Sequence, residues 1–271
     1  MYARANAAML TSAEIEACIK ASILGEVYTT PKPGLVDRRD SGAHRDMNVY
    51  TFERSAAAIT PYLTKMFFEG YFWKNSLQNL FPKIRKTGIF AEKTMFRATD
   101  QVNTHKGLIF TMGILSACAG QCYAKIRRFD TSKIFAYAEE MTKDALEADF
   151  LEMSQRDPVT HGEILFQKYG ERGIRGEAQK GFPIIRNIAL PLMRQYRGIG
   201  LDENGSNINV LLRIMMELND TNVWSRGSRD DVKWIQEQAE KIWKPGGAFF
   251  ETGMKKIEKL NRECIRRNLS P

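Results

Sequence analysis

The chain has 271 residues, of which 43% are hydrophobic and 27% are charged, and this balance excludes long disordered regions. Its 40 basic and 32 acidic residues give a net charge of +8, which favours anionic partners such as polyphosphate metabolites, nucleic acid or anionic lipid. No secretory leader opens the sequence, and its longest apolar run, 107–120, is too short to cross a bilayer. We therefore expect a cytoplasmic protein without membrane insertion.

The first predicted helix begins at a capping box formed by Thr11 and Glu14 and ends near Tyr28. Isoleucines recur at every fourth position behind the box, as they do on the buried face of a helix. Residues 29–48 follow with two prolines, two glycines and many charged groups, and they show neither a helical nor a strand period. We interpret this segment as a long functional loop.

Apolar periodicity predicts further helices along the rest of the chain, at 51–74, 76–98, 107–120, 132–152, 161–169, 182–197, 208–218, 230–243 and 248–268. The first of these is expected to bend at Pro61, because proline lacks a backbone donor. The polar residues 103–107 lead directly into a helix, whose unpaired N–H groups suit phosphate binding. No hairpin signal occurs, so we predict an all-α, single-domain multi-helix bundle with active-site loops between helices.

The four cysteines, Cys18, Cys118, Cys122 and Cys264, form neither a disulfide pattern nor paired zinc-binding spacing. Cys118 and Cys122 lie four positions apart on a predicted helix, where two metal ligands would share a face. Because no histidine or acidic residue is close to them in sequence, we assign both to core packing.

Common catalytic signatures are absent, since the sequence has no phosphate-binding P-loop, no GxGxxG after a strand, no HExxH and no GxSxG. Polar residues and glycines instead concentrate in four segments that we predict as loops between apolar helices: 29–47, 95–107, 175–178 and 220–227. Helical bundles commonly build their sites from such segments.

Five motifs in these segments are TPKPGLVD, SGAH-x-DM, MFRAT with VNTHKG, RGEA with GFP, and DTNV-x-x-RG. With this order, the chain resembles the triphosphoribosyl-dephospho-CoA synthases from about Glu26 to Pro271. The resemblance implies transfer of the 5-triphosphoribosyl group of ATP to the 2′-hydroxyl of 3′-dephospho-CoA, with release of adenine. The product, 2′-(5″-triphosphoribosyl)-3′-dephospho-CoA, is the precursor of the prosthetic group of citrate lyase and malonate decarboxylase.

The sequence departs from the family pattern at two places. Family members commonly continue past NLSP with a Gly-Gly-Ser-Ala-Asp segment, so the domain, which spans 1–271, is expected to lack a short C-terminal piece. Ser228 follows Arg226 and Gly227 where a second glycine is usual, and we expect this change to alter only the loop conformation.

The implied reaction has an oxocarbenium-like transition state, so it needs a carboxylate to activate the hydroxyl and a donor to help adenine leave. We assign the first role to Asp37 or Asp46. His44 and His105 lie inside motifs and are predicted to be the acid or hydrogen-bond donor near the adenine. The third histidine, His161, lies in a predicted capping box and is assigned a structural role.

The triphosphate requires cations, which the motifs provide at Lys32, Lys106, Arg175 and Arg226, with Asn103 and Asn222 beside them. Asp37, Asp46, Glu177 and Asp220 all offer hard oxygen ligands for Mg²⁺, which usually binds one or two carboxylates together with substrate phosphates, and any one of the four could instead be the general base. Our hypothesis gives Glu177 and Asp220 to the metal. Structural alternatives remain for these positions: the two prolines of the first segment fit a rigid turn, and Asp220 or Asn222 fits a helix cap.

The partners implied by the resemblance are ATP and 3′-dephospho-CoA. The phosphoribosyl-dephospho-CoA transferase or acyl carrier protein of citrate lyase or malonate decarboxylase, and a second copy of the chain as a homodimer, are further expectations. Two other classes compete. A basic nucleic-acid-binding protein is favoured by the charge of +8 and the cationic stretch 255–267, but no reader motif supports it. A non-catalytic adaptor relative is the other, and the retained Asp and Lys positions count against it.

Overall fold

A computed structural model of the chain describes residues 10–271. This part contains twelve α-helices and no β-strand, which confirms the all-α prediction. The prediction that no leader precedes the first helix concerns positions that, up to residue 9, lie outside the described residues.

The first six helices are α1 (Ser12–Tyr28), α2 (Val49–Tyr71), α3 (Phe81–Ala98), α4 (Lys106–Ile126), α5 (Thr131–Met153) and α6 (His161–Tyr169). The remaining six are α7 (Gly173–Gln179), α8 (Leu190–Gly198), α9 (Glu203–Glu217), α10 (Thr221–Arg226), α11 (Arg229–Trp243) and α12 (Glu251–Arg267). Two 3₁₀ turns, Leu77–Asn79 and Gly247–Phe249, and a π-helical turn, Ile185–Ala189, connect them.

Helix α1 begins as its sequence predicts. The Thr11 hydroxyl accepts a hydrogen bond from Glu14 N at 3.2 Å, and the Glu14 carboxylate accepts one from Thr11 N at 2.8 Å, so both halves of the capping box are present. Its predicted apolar face is buried against α2 through Ile15, Ile19 and Ile23.

Helices α2 and α4 cross at the centre of the core with their backbones almost in contact. A Cβ atom on Gly70 would lie 1.9 Å from the Ala117 carbonyl oxygen, and one on Gly120 would lie 1.9 Å from that of Phe67. Glycine is required at both positions because any side chain would separate the two helices. Pro61 lies inside α2 without ending it.

Helix α4 is the one described helix that is long and apolar enough to cross a membrane by length and composition alone. Half of its most apolar stretch is buried inside the protein, where it packs against α2, α3, α5 and α7. Cys118 and Cys122 are fully buried on this helix, so their assignment to core packing is confirmed.

Buried apolar side chains form two large clusters and a small one. The first large cluster contains side chains of α1 to α5 and α7, and the second contains side chains of α9 to α12. The small cluster joins Val27 at the end of α1 to Val36 and Met47 of the loop that follows, with Val102 packed against them. Whether the two large clusters fold as one domain stays a prediction.

Two of the four segments that were predicted as loops are helical, so those two predictions were wrong. Residues 175–178 lie inside α7, and residues 221–226 form α10 behind the cap Asp220. In the segment 95–107, residues 99–105 form a loop between α3 and α4, as predicted, and only the ends of the segment belong to these helices. Glycine lowers helix propensity in α7, but packing of the buried Gly176 and Ala178 against α5 overrides that local preference.

Candidate active site

The segment 29–48 is a true loop, and Asp37 organises it from inside. The Asp37 carboxylate is buried and accepts hydrogen bonds from three backbone N–H groups, those of Lys32 at 2.9 Å, Arg39 at 2.7 Å and Asp40 at 3.2 Å. Because both of its oxygens are engaged by the backbone, Asp37 shapes the loop and has little capacity left for a substrate hydroxyl.

Three asparagines hold the same loop from distant helices. Asn204 of α9 both accepts from Thr30 N at 2.9 Å and donates to Thr30 O at 2.7 Å. Asn207, one turn later, donates to the Thr29 hydroxyl at 3.0 Å. Asn261 of α12 accepts from Gly34 N at 2.8 Å. Sequence reasoning missed these residues, although the spacing of Asn204 and Asn207 places both on one face of a helix.

His44 lies near the end of the loop, where two motifs meet. Its Nδ1 is 3.1 Å from Arg226 Nη2, and its Nε2 is 2.9 Å from the Ser270 hydroxyl. Arg226 always donates, so Nδ1 accepts and Nε2 carries the proton. Burial and the Arg226 charge lower the pKa of His44, and Asp46, whose carboxylate lies 3.8 Å away, opposes that shift. His44 is therefore a neutral imidazole at neutral pH.

His105 is buried at the start of α4 and belongs to a short chain of hydroxyl groups. Thr104 donates to Ser55 Oγ at 2.7 Å, and Ser55 Oγ lies 2.6 Å from His105 Nδ1. This order directs the Ser55 proton to Nδ1, so that Nε2 carries the ring proton. Nε2 is buried and has no hydrogen-bond partner. Ser55 lies within the helix predicted at 51–74, where no local signal marks it as functional.

Lys32 is also buried and adds a positive charge near His105. Its ammonium group donates to the Glu26 backbone carbonyl at 2.9 Å and forms an ion pair with the Glu26 carboxylate. Burial and the charge of Lys32 lower the pKa of His105 to about 4, so the ring is neutral at physiological pH. The imidazole can therefore donate a hydrogen bond through Nε2 without being an acid.

A cavity of about 190 Å³ opens at the start of α4, between α4 and α7. We call it the cationic cavity, because Lys106, Arg172 and Arg175 line it together with two carboxylates, Glu92 and Glu171. Lys106 lies 3.4 Å from Glu92. Within residues 10–271, no carboxylate lies within ion-pair distance of Arg175, whose nearest polar contact is the Met153 sulfur at 3.4 Å.

Asn103 lies just before the N-terminal end of α4, three residues ahead of Lys106, which lines this cavity. Its side-chain oxygen accepts from Lys106 N at 3.2 Å, so it occupies one of the free backbone donors of the helix. Asn222 is exposed in the first turn of α10, where its backbone N–H donates to Asp220 at 2.7 Å. Both side chains are exposed, and phosphate binding by these two amides stays a prediction.

Glu177 and Asp220, the two predicted metal ligands, are partly buried carboxylates on neighbouring elements. Burial raises the pKa of both. One oxygen of Glu177 accepts from Ile184 N at 3.2 Å, and one oxygen of Asp220 accepts from two N–H groups at the start of α10. In the described part of the chain neither forms an ion pair, and no group of three His, Cys, Asp or Glu residues is placed to hold a metal.

The sequence-predicted residues thus gather in three adjoining groups. Lys32 and His105 form the first, and Lys106 and Arg175 meet in the cationic cavity. The third joins His44, Asp46 and Arg226. Helix α10 connects the second group to the third, because its Thr221 lines the cationic cavity and its Arg226 contacts His44. His161 is exposed at the start of α6, outside these groups.

Comparison with known proteins agrees with the motifs. The family CitG, described as ATP:dephospho-CoA triphosphoribosyl transferase, matches residues 12–271. A probable 2-(5″-triphosphoribosyl)-3′-dephosphocoenzyme-A synthase of Salmonella gallinarum is 36% identical over 266 residues, covering 97% of this chain and 87% of the relative. The corresponding synthase of Escherichia fergusonii is 34% identical over 264 residues, with the same coverage.

A third relative is longer. Protein CitXG of Leuconostoc mesenteroides subsp. cremoris is 36% identical over 266 residues, which cover 96% of this chain but only 56% of the relative. No solved structure matches the chain significantly.

Proposed function

Because the chain belongs to the ATP:dephospho-CoA triphosphoribosyl transferase family, we propose how its own residues carry out that reaction. The protein is a transferase that moves the triphosphoribosyl group of ATP to dephospho-CoA. The comparisons give no support to a nucleic-acid-binding protein or to an adaptor.

The observation that carries the proposed mechanism is the buried, unpartnered Nε2–H of His105. A buried donor without a partner costs free energy, and a substrate that accepts from it recovers that cost. We assign this group to a ring nitrogen of the adenine. Its hydrogen bond stabilises the negative charge that develops on the base as the bond between adenine and C1′ of the ribose breaks.

Asp46 is the better candidate for the general base. Asp37 is buried and engaged by three backbone donors, whereas Asp46 is exposed and lies beside neutral His44. In this assignment, the 2′-hydroxyl oxygen of dephospho-CoA attacks C1′ and its proton passes to the Asp46 carboxylate. Arg226 donates to Nδ1 of His44, the ring nitrogen that also faces Asp46, and so fixes the ring beside that carboxylate.

We place the triphosphate of ATP in the cationic cavity. Arg175 has no carboxylate partner there, so its charge is available, and Lys106 adds a second cation at the start of α4. Glu177 and Asp220 each retain one carboxylate oxygen for Mg²⁺, which would reduce the repulsion between phosphates. Burial raises the pKa of both carboxyl groups, and in the described residues neither forms an ion pair, so a bound cation would stabilise their charged forms.

The finer partners of the reaction are also proposals. We expect the product to serve citrate lyase or malonate decarboxylase through a phosphoribosyl-dephospho-CoA transferase or an acyl carrier protein, in the cytoplasm. A homodimer remains an expectation.

Adenine release tests the reaction directly. Purified protein with ATP, dephospho-CoA and Mg²⁺ should release free adenine, detected by liquid chromatography, and should release none when dephospho-CoA is left out. Stoichiometric ADP or AMP in place of adenine would reject the assignment, because the phosphates are bound in this reaction and not cleaved.

Asp220→Asn tests the metal site without removing the helix cap. Asparagine caps helices about as well as aspartate, so α10 should keep its structure and the melting temperature should change little. We expect Mg²⁺-dependent adenine release to fall about a hundredfold or more, as for the loss of a metal ligand or its supporting shell. Full activity in Asp220→Asn would remove this residue from the metal site.

A further inference from the structure

A second and larger cavity, of about 620 Å³, lies between α1 and helices α8 and α9. We call it the α1–α9 cavity. One face of α1 lines it with small side chains, and the facing wall is aliphatic: Cys18, Ala21, Ser22 and Gly25 lie on one side, with Met193, Val210, Leu211 and Ile214 opposite. Its volume is within the range of about 300–1,000 Å³ that is usual for pockets that enclose small molecules.

The charges around the α1–α9 cavity are balanced. Lys32 forms an ion pair with Glu26, and the rim carries one further cation, Arg197, and one further carboxylate, Glu203. Ser22, Thr29 and Asn207 add hydrogen-bonding groups to the aliphatic walls. Such a lining suits an uncharged chain that alternates aliphatic and amide groups, and it does not suit a triphosphate.

The two substrates of the reaction differ in the same way as the two cavities. ATP and dephospho-CoA share an adenosine diphosphate portion, so an enzyme that keeps donor and acceptor apart must recognise the rest of each molecule. For ATP the rest is a charged phosphate, and for dephospho-CoA it is the neutral pantetheine arm, which contains two amides and a dimethyl-substituted carbon. Resting on the proposed function, we propose that the α1–α9 cavity binds the pantetheine arm of dephospho-CoA.

The position of His105 supports this assignment. Lys32 lines the α1–α9 cavity and its charge acts on the His105 ring. Lys106, the next residue after His105, lines the cationic cavity. His105 lines neither cavity itself, but Lys32 of the α1–α9 cavity acts on its ring and Lys106 of the cationic cavity follows it in the chain, so the region around His105 connects the proposed sites for the two substrates.

Two glycines allow each cavity to be filled separately. A Cβ atom on Gly25, in the α1–α9 cavity, or on Gly162, in the cationic cavity, would have no atom within 4 Å apart from its chain neighbours and its own helix backbone, so a side chain at either position starts in open space. We expect Gly25→Phe to raise the KM for dephospho-CoA about tenfold or more and to leave the KM for ATP within about twofold. Gly162→Phe should show the reverse, and Gly25→Ala and Gly162→Ala are the matched controls.

The results of these measurements distinguish a failure of the pantetheine assignment from a failure of the proposed transferase reaction. If Gly25→Phe raises the KM for ATP, or changes neither KM, the pantetheine assignment is wrong even though adenine release continues. Loss of adenine release in the wild-type protein would instead remove the proposed function. A melting temperature of Gly25→Phe close to that of Gly25→Ala shows that the effect is not unfolding.

Chemical protection of Cys18 gives an independent readout on the wild-type protein. Cys18 lines the α1–α9 cavity and is exposed, whereas Cys118, Cys122 and Cys264 are buried. The S-methyl thioether of dephospho-CoA, which cannot consume the reagent, should slow alkylation of Cys18 by iodoacetamide about tenfold at saturation. ATP with Mg²⁺ should not. Equal rates with and without the thioether, measured by peptide mass spectrometry, would overturn the proposal.

Discussion

The three histidines differ in chemistry because of what surrounds each ring. His161 is exposed at a helix start, and His44 is half-buried between Arg226, Asp46 and Ser270. His105 is buried with a hydroxyl on one nitrogen and no partner on the other. Of the three, only His105 has a buried ring donor without a partner in the described residues. This is a property of its neighbours and not of the residue type.

The environment of His105 predicts a pH dependence of stability. Its pKa falls from 6.5 to about 4 on folding, so between these values the unfolded chain binds a proton that the folded protein does not. The contribution of the buried neutral ring to the free energy of unfolding is fully present above about pH 6.5. It is lost as the pH falls towards 4, because protonation then stabilises the unfolded chain. From pH 7.5 to pH 5 this loss amounts to about 2 kcal/mol.

Urea denaturation of His105→Gln and wild-type protein at both pH values measures this effect. The free energy of unfolding of His105→Gln should decrease by about 2 kcal/mol less than that of the wild type over that interval. His161→Gln is the control for removing an exposed histidine. Equal decreases in His105→Gln and wild type would show that the buried ring is not the source.

At the scale of elements, glycine has two opposite roles in this fold. Gly70 and Gly120 let α2 and α4 approach until their backbones touch, whereas Gly25 lies on the face of α1 that borders an open cavity. The same residue type is thus required for packing in one helix and leaves space for a ligand in another. The short helices α7 and α10 also depend on their surroundings. Their composition predicted loops, but packing against other helices makes these segments helical.

The contrast between the glycines predicts that replacement by alanine changes the free energy of unfolding in opposite directions at Gly120 and at Gly25. Gly120→Ala should lower the free energy of unfolding by about 1–3 kcal/mol or more, because its Cβ would overlap the Phe67 carbonyl. Gly25→Ala should raise it by up to about 1 kcal/mol, since alanine favours the helix and meets no neighbour. Denaturant titrations of the two variants check both values, and a stable Gly120→Ala would mean that α2 and α4 are not in backbone contact.

At the scale of the whole molecule, the reaction site joins the two large apolar clusters. The loop 29–48 follows α1 of the first cluster and is bound by asparagines of α9 and α12 in the second. The α1–α9 cavity likewise takes its walls from both clusters. A site built across both parts works only when they are assembled, so we expect them to unfold together.

This arrangement predicts one unfolding transition. Trp224, Trp234 and Trp243 pack against the second cluster, so tryptophan fluorescence reports mainly on that part, whereas far-ultraviolet circular dichroism reports on all helices. The two signals should give the same thermal midpoint, and dephospho-CoA at about a hundred times its Kd should stabilise the protein by about 2.7 kcal/mol. Two separate midpoints would show that the clusters are independent domains.

The sequence by itself determined the helical class, most helix positions, the two cysteines of the core and the family, because these depend on local periodicity, capping and contiguous motifs. It also selected Lys32, His44, His105 and Arg226, which lie inside the motifs and of which His44 contacts Arg226. It did not determine that α7 and α10 are helical, that Asp37 is engaged by the backbone, or that Ser55 and three asparagines complete the site. Only the tertiary structure decided these points, because burial, hydrogen-bond partners and cavity walls come from residues far apart in the chain.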